Sequence, residues 1–399
     1  MNLIRPPLEQ YTNAPANKKL FFFLAILLAI AARLGLSTLG HNFDFESWQE
    51  VASLQAQGKN GYAATCRYNY GPLWMWILYG LKYISVNHFR TAVALFLSLI
   101  DVAIALVLFR RGNRSAAYVI LFSPVCLIIT GFHNQMDNMA ILLMLLALRY
   151  AEKRRHYSNE VSGFGLSITE TTLLAALIGA SLVAKHIFIF LPVWLLFHKQ
   201  LTIKQKAILV LVPYAIFFGS FLPYLSGIDG ILNNVIFYSP GVNAPLYNLL
   251  LGRFIGDMMC FIFPTPYKAI FFSIMIGSGF FLRRKPLVEL ILLYTAFVVM
   301  FASLISNQYL VIPMVFLAVS KNRFGWAYNV LGGVFLLFNE LELNFIKMSS
   351  GEILKWASFI EMWGYSLLTG ILLLAVIDFL RPSWLHRSTI VPIIRRWLA

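Results

Sequence analysis

Two carboxylates follow directly after the first long apolar segment of the chain. Asp44 and Glu46 alternate there with the aromatic residues Phe43, Phe45 and Trp48. A carboxylate beside an apolar wall can remain ionised while its basicity increases, which suits it to act as a general base. The aromatic side chains could stack on a sugar or face lipid. Solvation of an ordinary polar loop is the alternative for both acids.

A second polar stretch separates two apolar runs at residues 133–138, and five of its six residues are polar. A turn between two helices requires fewer polar groups than this. We expect the stretch to line a polar cavity together with Asp44. Glu46, His133 and Asp137 are the candidates to orient an acceptor or to act as a second acid. A solvated hairpin is the alternative.

Lys185 and His186 interrupt a nearly continuous apolar run over residues 173–197. A charge within such a run is costly without a partner, so these residues are candidates for a functional site. Lysine commonly binds phosphate oxygens as a point charge. With Arg67 from the first polar loop, Lys185 and His186 are therefore candidates to bind a phosphate group. A lysine that snorkels at a helix end is the alternative.

Other polar residues are expected to contribute to the bundle or to the wall of a pocket. Asp101 lies within the apolar run 91–109, and we expect its partner inside the helical bundle rather than in a reaction. Candidates for the pocket wall are Tyr68, Asn69, Gln308 and Tyr309. The three cysteines are scattered along the chain, which indicates neither a disulfide framework nor a metal site.

The elements that must position these residues are apolar helices. Of the 399 residues, 59% are hydrophobic and 12% are charged, whereas a water-soluble globule carries about a quarter charged residues. Runs such as 20–32, 91–109 and 364–380 are long enough, with their flanks, to cross a hydrocarbon core of about 30 Å. The sequence therefore predicts an all-α, polytopic transmembrane helical bundle. Its first run is expected to remain as an anchor, because no small-residue cleavage site follows it.

Basic residues indicate which ends of the helices face the cytoplasm. The net charge of +15 could suggest nucleic-acid binding, but Lys and Arg occur in short clusters between the apolar runs. Such clusters are typical of the inner loops of membrane proteins. Placing them and the Arg-rich tail in the cytoplasm predicts about twelve crossings, with both termini inside.

This topology requires that the apolar segment 72–86 does not cross the membrane completely. We expect it to lie in or dip into the outer interface, where its aromatic residues suit the headgroup level. The chain is then one transmembrane domain, 1–399, with large outer loops at 40–90 and 226–257. Function is expected on the outer side, because the inner loops are mostly brief and basic.

Short motifs occur in a particular order along the chain. They are Asp44-Phe45-Glu46, then Gly61-Tyr62 with Arg67-Tyr68-Asn69-Tyr70-Gly71-Pro72-Leu73, and Asn307-Gln308-Tyr309-Leu310. Over about residues 15 to 320 this order resembles the GT-C superfamily of membrane glycosyltransferases, and most of all the GPI mannosyltransferase I catalytic family and its bacterial relatives. Family members often have Asp-x-Asp in the first loop, whereas the second acid here is Glu46, which favours Asp44 as the base. The resemblance implies short helices along the outer surface in this loop.

The resemblance also implies a donor that carries one sugar on a lipid phosphate. We expect an inverting transfer of mannose, or of another hexose or pentose, from a polyprenyl phosphate to a hydroxyl of a glycan, lipid or protein acceptor. Asp44 is the expected catalytic base, on the extracytoplasmic side. No cofactor is required, although two converging acids could hold a divalent metal. Membrane lipids are expected partners, and nucleic acid is not.

Two other classes of function stay open. The chain could be a transporter or flippase for a lipid-linked or polar substrate, although such folds usually show two related halves and the sequence has no such symmetry. It could also be an accessory subunit that scaffolds a transferase. The compact inner loops favour a bacterial plasma membrane, and the endoplasmic reticulum membrane is the alternative for a eukaryotic chain.

Overall fold

The computed structural model describes residues 16–157, 166–238, 245–251, 264–302, 304–339 and 350–381, and every regular element in these ranges is a helix. The α-helices are α1 Ala16–Ser37, α2 Phe43–Ala56, α3 Gly61–Ala64, α4 Pro72–Ile84, α5 Phe89–Arg110, α6 Arg114–Phe122, α7 Pro124–Gly131, α8 Asp137–Tyr157, α9 Ile168–Ala184, α10 Leu191–Phe197, α11 Ile203–Gly219, α12 Ile228–Ile231, α13 Pro245–Leu251, α14 Pro264–Leu282, α15 Leu287–Met300, α16 Met314–Ser320, α17 Arg323–Asn339 and α18 Ser350–Leu380. Short 3-10 turns occur at Val86–His88, His186–Phe188, Leu222–Gly227 and Asn307–Val311, and a π-helix at Leu232–Ile236. The prediction of an all-α fold is confirmed for the part of the chain that these ranges cover.

Several of these helices are long and apolar enough to cross a membrane. Three qualify alone: α1 from Lys19 onward, α5, and α18 from Trp363 onward. Three bent pairs qualify together, namely α6 with α7, α9 with residues 186–197, and α11 with residues 222–236, which are bent by 48°, 119° and 52°. The described residues therefore hold three clear spans, or up to six if each bent pair is one span. These helices fit a membrane protein, as the composition predicts.

A buried ion pair ties the first helices together. Arg33 of α1 lies 2.9 Å from the Asp101 carboxylate of α5, and both side chains are almost completely buried. The same guanidinium donates to the carbonyl oxygens of Ile120 and Leu121 at the end of α6. These carbonyls are left over where the helix ends before Pro124, so Arg33 satisfies them. Asp101 thus has its partner inside the bundle.

The first predicted outer loop contains three helices, α2, α3 and α4. Aromatic side chains pack α2 against α4, with the Trp48 and Trp74 rings 5.1 Å apart at their centroids. The 13 residues of α4 extend about 20 Å, which is shorter than a hydrocarbon core of about 30 Å. Within the second predicted loop, residues 239–244 and 252–257 lie outside the described residues, as does the Arg-rich tail after residue 381.

Two packed helices bring distant polar residues to one place. Asp137 begins α8, and Lys185 follows the last residue of α9. Because α8 and α9 pack against each other as an antiparallel hairpin, both residues lie at the same end. The loop before α4 closes on this end through Gly71, where an added Cβ would overlap the carbonyl oxygen of Val183. Only glycine allows the two backbones to approach so closely.

Candidate active site

Asp44 lies in the first turn of α2, with its carboxylate facing the polar stretch between α7 and α8. Its Oδ2 accepts a hydrogen bond of 2.6 Å from Nε2 of Gln135, which is itself buried. The first turn of a helix also favours a negative charge, because the free backbone N–H groups point toward it. Asp44 is only half-buried. The carboxylate is therefore fixed in orientation and still accessible to a ligand.

Asp137 and Lys185 form a buried ion pair. Lys185 Nζ donates to Asp137 Oδ2 over 2.7 Å, and the side chains of Lys185 and Asp137 are 7% and 0% exposed respectively. Among the described residues, Asp137 Oδ1 has no side-chain partner. An ammonium group has three N–H donors, and this pair uses one of them. Lys185 can therefore still donate to a ligand.

Two tyrosine rings flank the lysine. Lys185 Nζ lies 5.2 Å from the centroid of Tyr70 and 5.8 Å from that of Tyr309, within the range of a cation–π interaction. Burial raises the pKa of the Tyr70 hydroxyl well above 10, and the nearby carboxylates of Asp44 and Asp137 raise it further. Tyr70 therefore stays protonated at neutral pH and can donate a hydrogen bond.

These contacts define one group of side chains, the acid–lysine cluster, which consists of Asp44, Tyr70, Asp137, Lys185 and Tyr309. The Tyr70 hydroxyl feels the charge of both carboxylates and is also close to Tyr309. Five separate parts of the chain contribute to the cluster, so the fold rather than the local sequence assembles it. With two carboxylates and one ammonium group, its formal charge is negative.

One edge of the cluster is formed by Asn69 and Tyr238. The two side chains are hydrogen-bonded to each other, and Tyr238 is close enough to Asp44 to feel its charge. Asn69 precedes Tyr70 in the loop that closes on α9. Of the predicted wall residues, Asn69 and Tyr309 therefore lie at the cluster, and Gln308 lies half-buried beside Tyr309 in the 3-10 turn.

Glu46 and Arg67 are not part of the acid–lysine cluster. Two residues along a helix correspond to a rotation of about 200°, so Glu46 leaves α2 on nearly the opposite side from Asp44. Glu46 is 54% exposed and lies 3.3 Å from Arg67. Arg67 also lies 3.7 Å from Glu50 and stacks over the Phe43 ring. The predictions that Glu46 assists Asp44 and that Arg67 joins Lys185 therefore find no contact to support them.

The two predicted histidines lie at different edges of the site. His133 Nδ1 is 3.2 Å from Nδ2 of Asn42, just before α2 begins. His186 follows Lys185 in the chain, and its ring lies 6.4 Å from that of Phe217. Within the described residues, Nδ1 of His186 has no hydrogen-bond partner.

Tyr68 was predicted to line the pocket, but its side chain lies in the aromatic core. It is completely buried, its hydroxyl donates to the Gly71 carbonyl over 2.8 Å, and its ring packs on Tyr62 and Tyr70. Tyr68 holds the turn, and Tyr70 faces the lysine instead.

Gln135 and Arg33 are the other residues that sequence reasoning missed. Gln135 belongs to the polar stretch already singled out, but only the fold shows that it binds Asp44.

Among the residues that the structure describes, no three His, Cys, Asp or Glu side chains group as metal ligands would.

No family model, no curated protein and no solved structure matches this chain.

Proposed function

We propose that this chain is an inverting glycosyltransferase of the GT-C type, which moves one sugar from a polyprenyl-phosphate donor to an acceptor hydroxyl. The observation that carries the proposal is the acid–lysine cluster. An accessible, oriented carboxylate, Asp44, lies in the same group of side chains as a buried lysine with unused N–H donors. These are the two functions that such a transfer needs: a general base and a cation for the leaving phosphate.

In the proposed step, Asp44 accepts the proton of the acceptor hydroxyl while that oxygen bonds to the anomeric carbon. The bond from this carbon to the phosphate oxygen breaks on the opposite face, and the phosphate leaves with the electron pair. Lys185 and the protonated Tyr70 hydroxyl donate to the phosphate oxygens as their charge develops. The configuration at the anomeric carbon is inverted, and Asp44 then releases its proton to water. No cofactor is needed for these proton and electron movements.

The charge of the cluster supports a donor with a single phosphate. Lys185 is the cation of the cluster, and Asp137 already neutralises part of its charge. A phosphodiester carries one negative charge, whereas a nucleotide diphosphate carries more and would be repelled by Asp44 and Asp137. A lipid-linked monophosphate sugar is therefore the better match to this site.

The proposed membrane arrangement is a multi-pass one, with about twelve crossings and both termini in the cytoplasm. The clear spans, the bent pairs and the shorter apolar helices Ala269–Leu282, Leu287–Met300 and Asn307–Ser320 support it. Loops 40–90 and 226–257 would then lie outside a bacterial plasma membrane, with the first-loop helices along the outer surface. Nucleotide sugars are absent there, which is consistent with a lipid-linked donor.

The test is to incubate the purified protein with a panel of polyprenyl-phosphate monosaccharides and to measure the release of polyprenyl phosphate. Asp44→Asn should lower turnover about 10²- to 10⁴-fold, because a neutral amide cannot accept the proton. Glu46→Gln is the matched control, since it removes a carboxylate on the side of α2 that faces away from the acid–lysine cluster. We expect near-normal turnover in this variant. Normal turnover in Asp44→Asn with an unchanged unfolding temperature contradicts the proposal.

One observation favours the transporter or flippase as the second candidate. The chain bends by 119° between α9 and residues 186–197, directly at Lys185. Interrupted helices with buried charges are common at the substrate sites of transporters. Reconstituted vesicles distinguish the two functions: movement of a lipid-linked sugar between leaflets without release of lipid phosphate would support transport over transfer.

A further inference from the structure

A polar cavity of about 460 Å³ lies between the first loop and the segment after α11. Its volume is within the range of about 300–1,000 Å³ that is usual for small-molecule sites. The polar side chains among its lining residues are Thr65, Cys66, Ser226, Asp229, Asn233 and Asn234. None of these residues belongs to the acid–lysine cluster.

The walls of the cavity are held together by close backbone contacts. A Cβ added at Gly230 would overlap the carbonyl oxygen of Tyr62, so α12 lies directly on α3. Asn60 Nδ2 donates to the carbonyl oxygen of Tyr224 over 3.1 Å and to the Ser226 hydroxyl over 2.9 Å. The two loop segments thus form one built surface.

A π-helix supplies part of the wall. Leu232–Ile236 has this conformation, and it brings Asn233 and Asn234 to the cavity side by side. π-helical turns are rare and frequently occur at functional sites. The two amides offer donors and acceptors next to each other, which is the arrangement that binds adjacent hydroxyl groups.

The lining chemistry identifies the class of ligand. The cavity presents amides, hydroxyls and one carboxylate, Asp229, and no Lys, Arg or His is among its lining residues. An anion such as a phosphate would therefore be repelled. A peptide or acyl chain would need apolar side chains to bury its own, but apart from Tyr62 the apolar lining is alanine and glycine. A neutral, polyhydroxylated ligand fits best, and that is a saccharide.

Tyr62 connects the cavity to the acid–lysine cluster. It lines the cavity, while its hydroxyl donates to the Tyr70 carbonyl over 2.7 Å. The Tyr70 ring in turn lies against Lys185. One residue therefore separates a ligand in the cavity from the loop that carries Tyr70.

We propose that this cavity binds the inner sugars of a glycan acceptor while the terminal hydroxyl of that glycan reaches Asp44. The acceptor role rests on the proposed transferase function, whereas saccharide binding in the cavity does not. The acceptor class is then an oligosaccharide or polysaccharide rather than a lone lipid or a peptide.

Cys66 provides a direct test, because it is exposed and lines the cavity, whereas Cys126 is buried. In the full chain with Cys260→Ser, the rate of Cys66 alkylation by N-ethylmaleimide is measured with and without soluble oligosaccharides. The probes are short oligomers of mannose, glucose, galactose and arabinose, with glycerol as the neutral control solute. We expect one oligomer series to slow alkylation about tenfold at about ten times its Kd, by mass action.

Two variants make the result specific. Asn233→Leu removes an amide donor and acceptor from the wall and should abolish protection while Cys66 still reacts at its unliganded rate, and an unchanged unfolding temperature shows that the variant is folded. Asp44→Asn lies outside the cavity and should keep full protection although transfer is lost. If no series protects Cys66, or if Asn233→Leu is protected equally, the cavity proposal is wrong. Protection in a protein that never releases lipid phosphate would instead overturn the transferase proposal.

Discussion

At the scale of single residues, the immediate neighbours of Lys185 stabilise its positive charge. A carboxylate lies 2.7 Å from its Nζ, and two aromatic rings face it from other directions. A buried charge that loses its partner is far more costly than a pair that is removed together. The stability of this part of the molecule should therefore depend on Asp137 and Lys185 jointly.

We predict that Asp137→Ala and Lys185→Ala each lower the free energy of unfolding by about 3–5 kcal/mol, because each leaves an uncompensated buried charge. The double variant should lose less than the sum of the two. Denaturant unfolding of the purified protein in detergent measures all three.

The control for this cycle is Lys285→Ala, which removes an exposed partner of Glu289 at 3.5 Å. Exposed pairs of this kind contribute less than about 1 kcal/mol. Additive losses for Asp137 and Lys185 would show that they do not form a coupled pair.

The raised pKa of Tyr70 leads to a prediction for alkaline pH. In the unfolded chain a tyrosine loses its proton near pH 10, whereas the folded protein keeps the Tyr70 proton to higher pH. The unfolded state then binds fewer protons than the folded one, so stability is complete below about pH 10 and falls as the pH rises.

Replacing Tyr70 by Phe should reduce this fall by up to about 1.4 kcal/mol for each pH unit above 10. A slope remains, because burial also raises the pKa values of Tyr62 and Tyr68. Denaturation midpoints measured as a function of pH test the difference, and identical slopes in the two proteins would contradict it.

Residue types in the sequence pointed to part of the site. Asp44, Asp137 and Lys185 were candidates because a charge beside or within an apolar run is costly unless it has a partner or a function. The fold brings the three residues together. Glu46 and Arg67 were candidates because they are near in sequence, and helix geometry instead pairs them with each other. Nearness along the chain does not say which side of a helix a residue faces.

At the scale of elements, the site depends on how closely the loop before α4 approaches the end of α9. Gly71 should therefore be sensitive to substitution, since a Cβ there overlaps the Val183 carbonyl oxygen. Gly71→Ala would push the loop outward and move Tyr70 away from Lys185. A displacement of about 1 Å can cost about 10²-fold in rate, and we expect a loss of that order in lipid-phosphate release.

The matched control is Gly80→Ala, in the exposed part of α4, where an added Cβ meets nothing within 4 Å. Alanine is the better helix former, so this change should leave turnover intact and raise stability slightly. Equal effects of the two substitutions on turnover would show that the Gly71 contact does not position the site.

Element positions were partly readable from the sequence. Long apolar runs such as the one that became α5 predicted helices directly, and Pro124 is a sufficient reason for the break between α6 and α7. The 119° bend at Lys185 was visible only as a charge within an apolar run. A hydropathy average over residues 168–197 does not detect the bend, because it measures composition and not the direction of the helix axis.

At the scale of the whole molecule, the proposed topology places the first loop outside and the basic clusters inside. A membrane-impermeant maleimide applied to intact cells should therefore label the exposed Cys66. In a Cys66→Ser background, Ser115→Cys should be labelled only after the membrane is opened, because it follows the basic residues Arg110, Arg111 and Arg114. Equal labelling of both positions in intact cells would show that the charge-based topology is wrong.

Asp137 and Lys185 lie at the same end of the α8–α9 hairpin, and under the proposed topology this is the outer end. The hairpin must therefore carry both charges across the membrane during biosynthesis. An isolated lysine or aspartate at the centre of an inserting helix costs about 2.5–3.5 kcal/mol, whereas a pair can travel as a neutral unit. The contact that builds the site thus also makes the hairpin a unit of insertion, and a chain that lacks one partner must move an isolated charge through hydrocarbon.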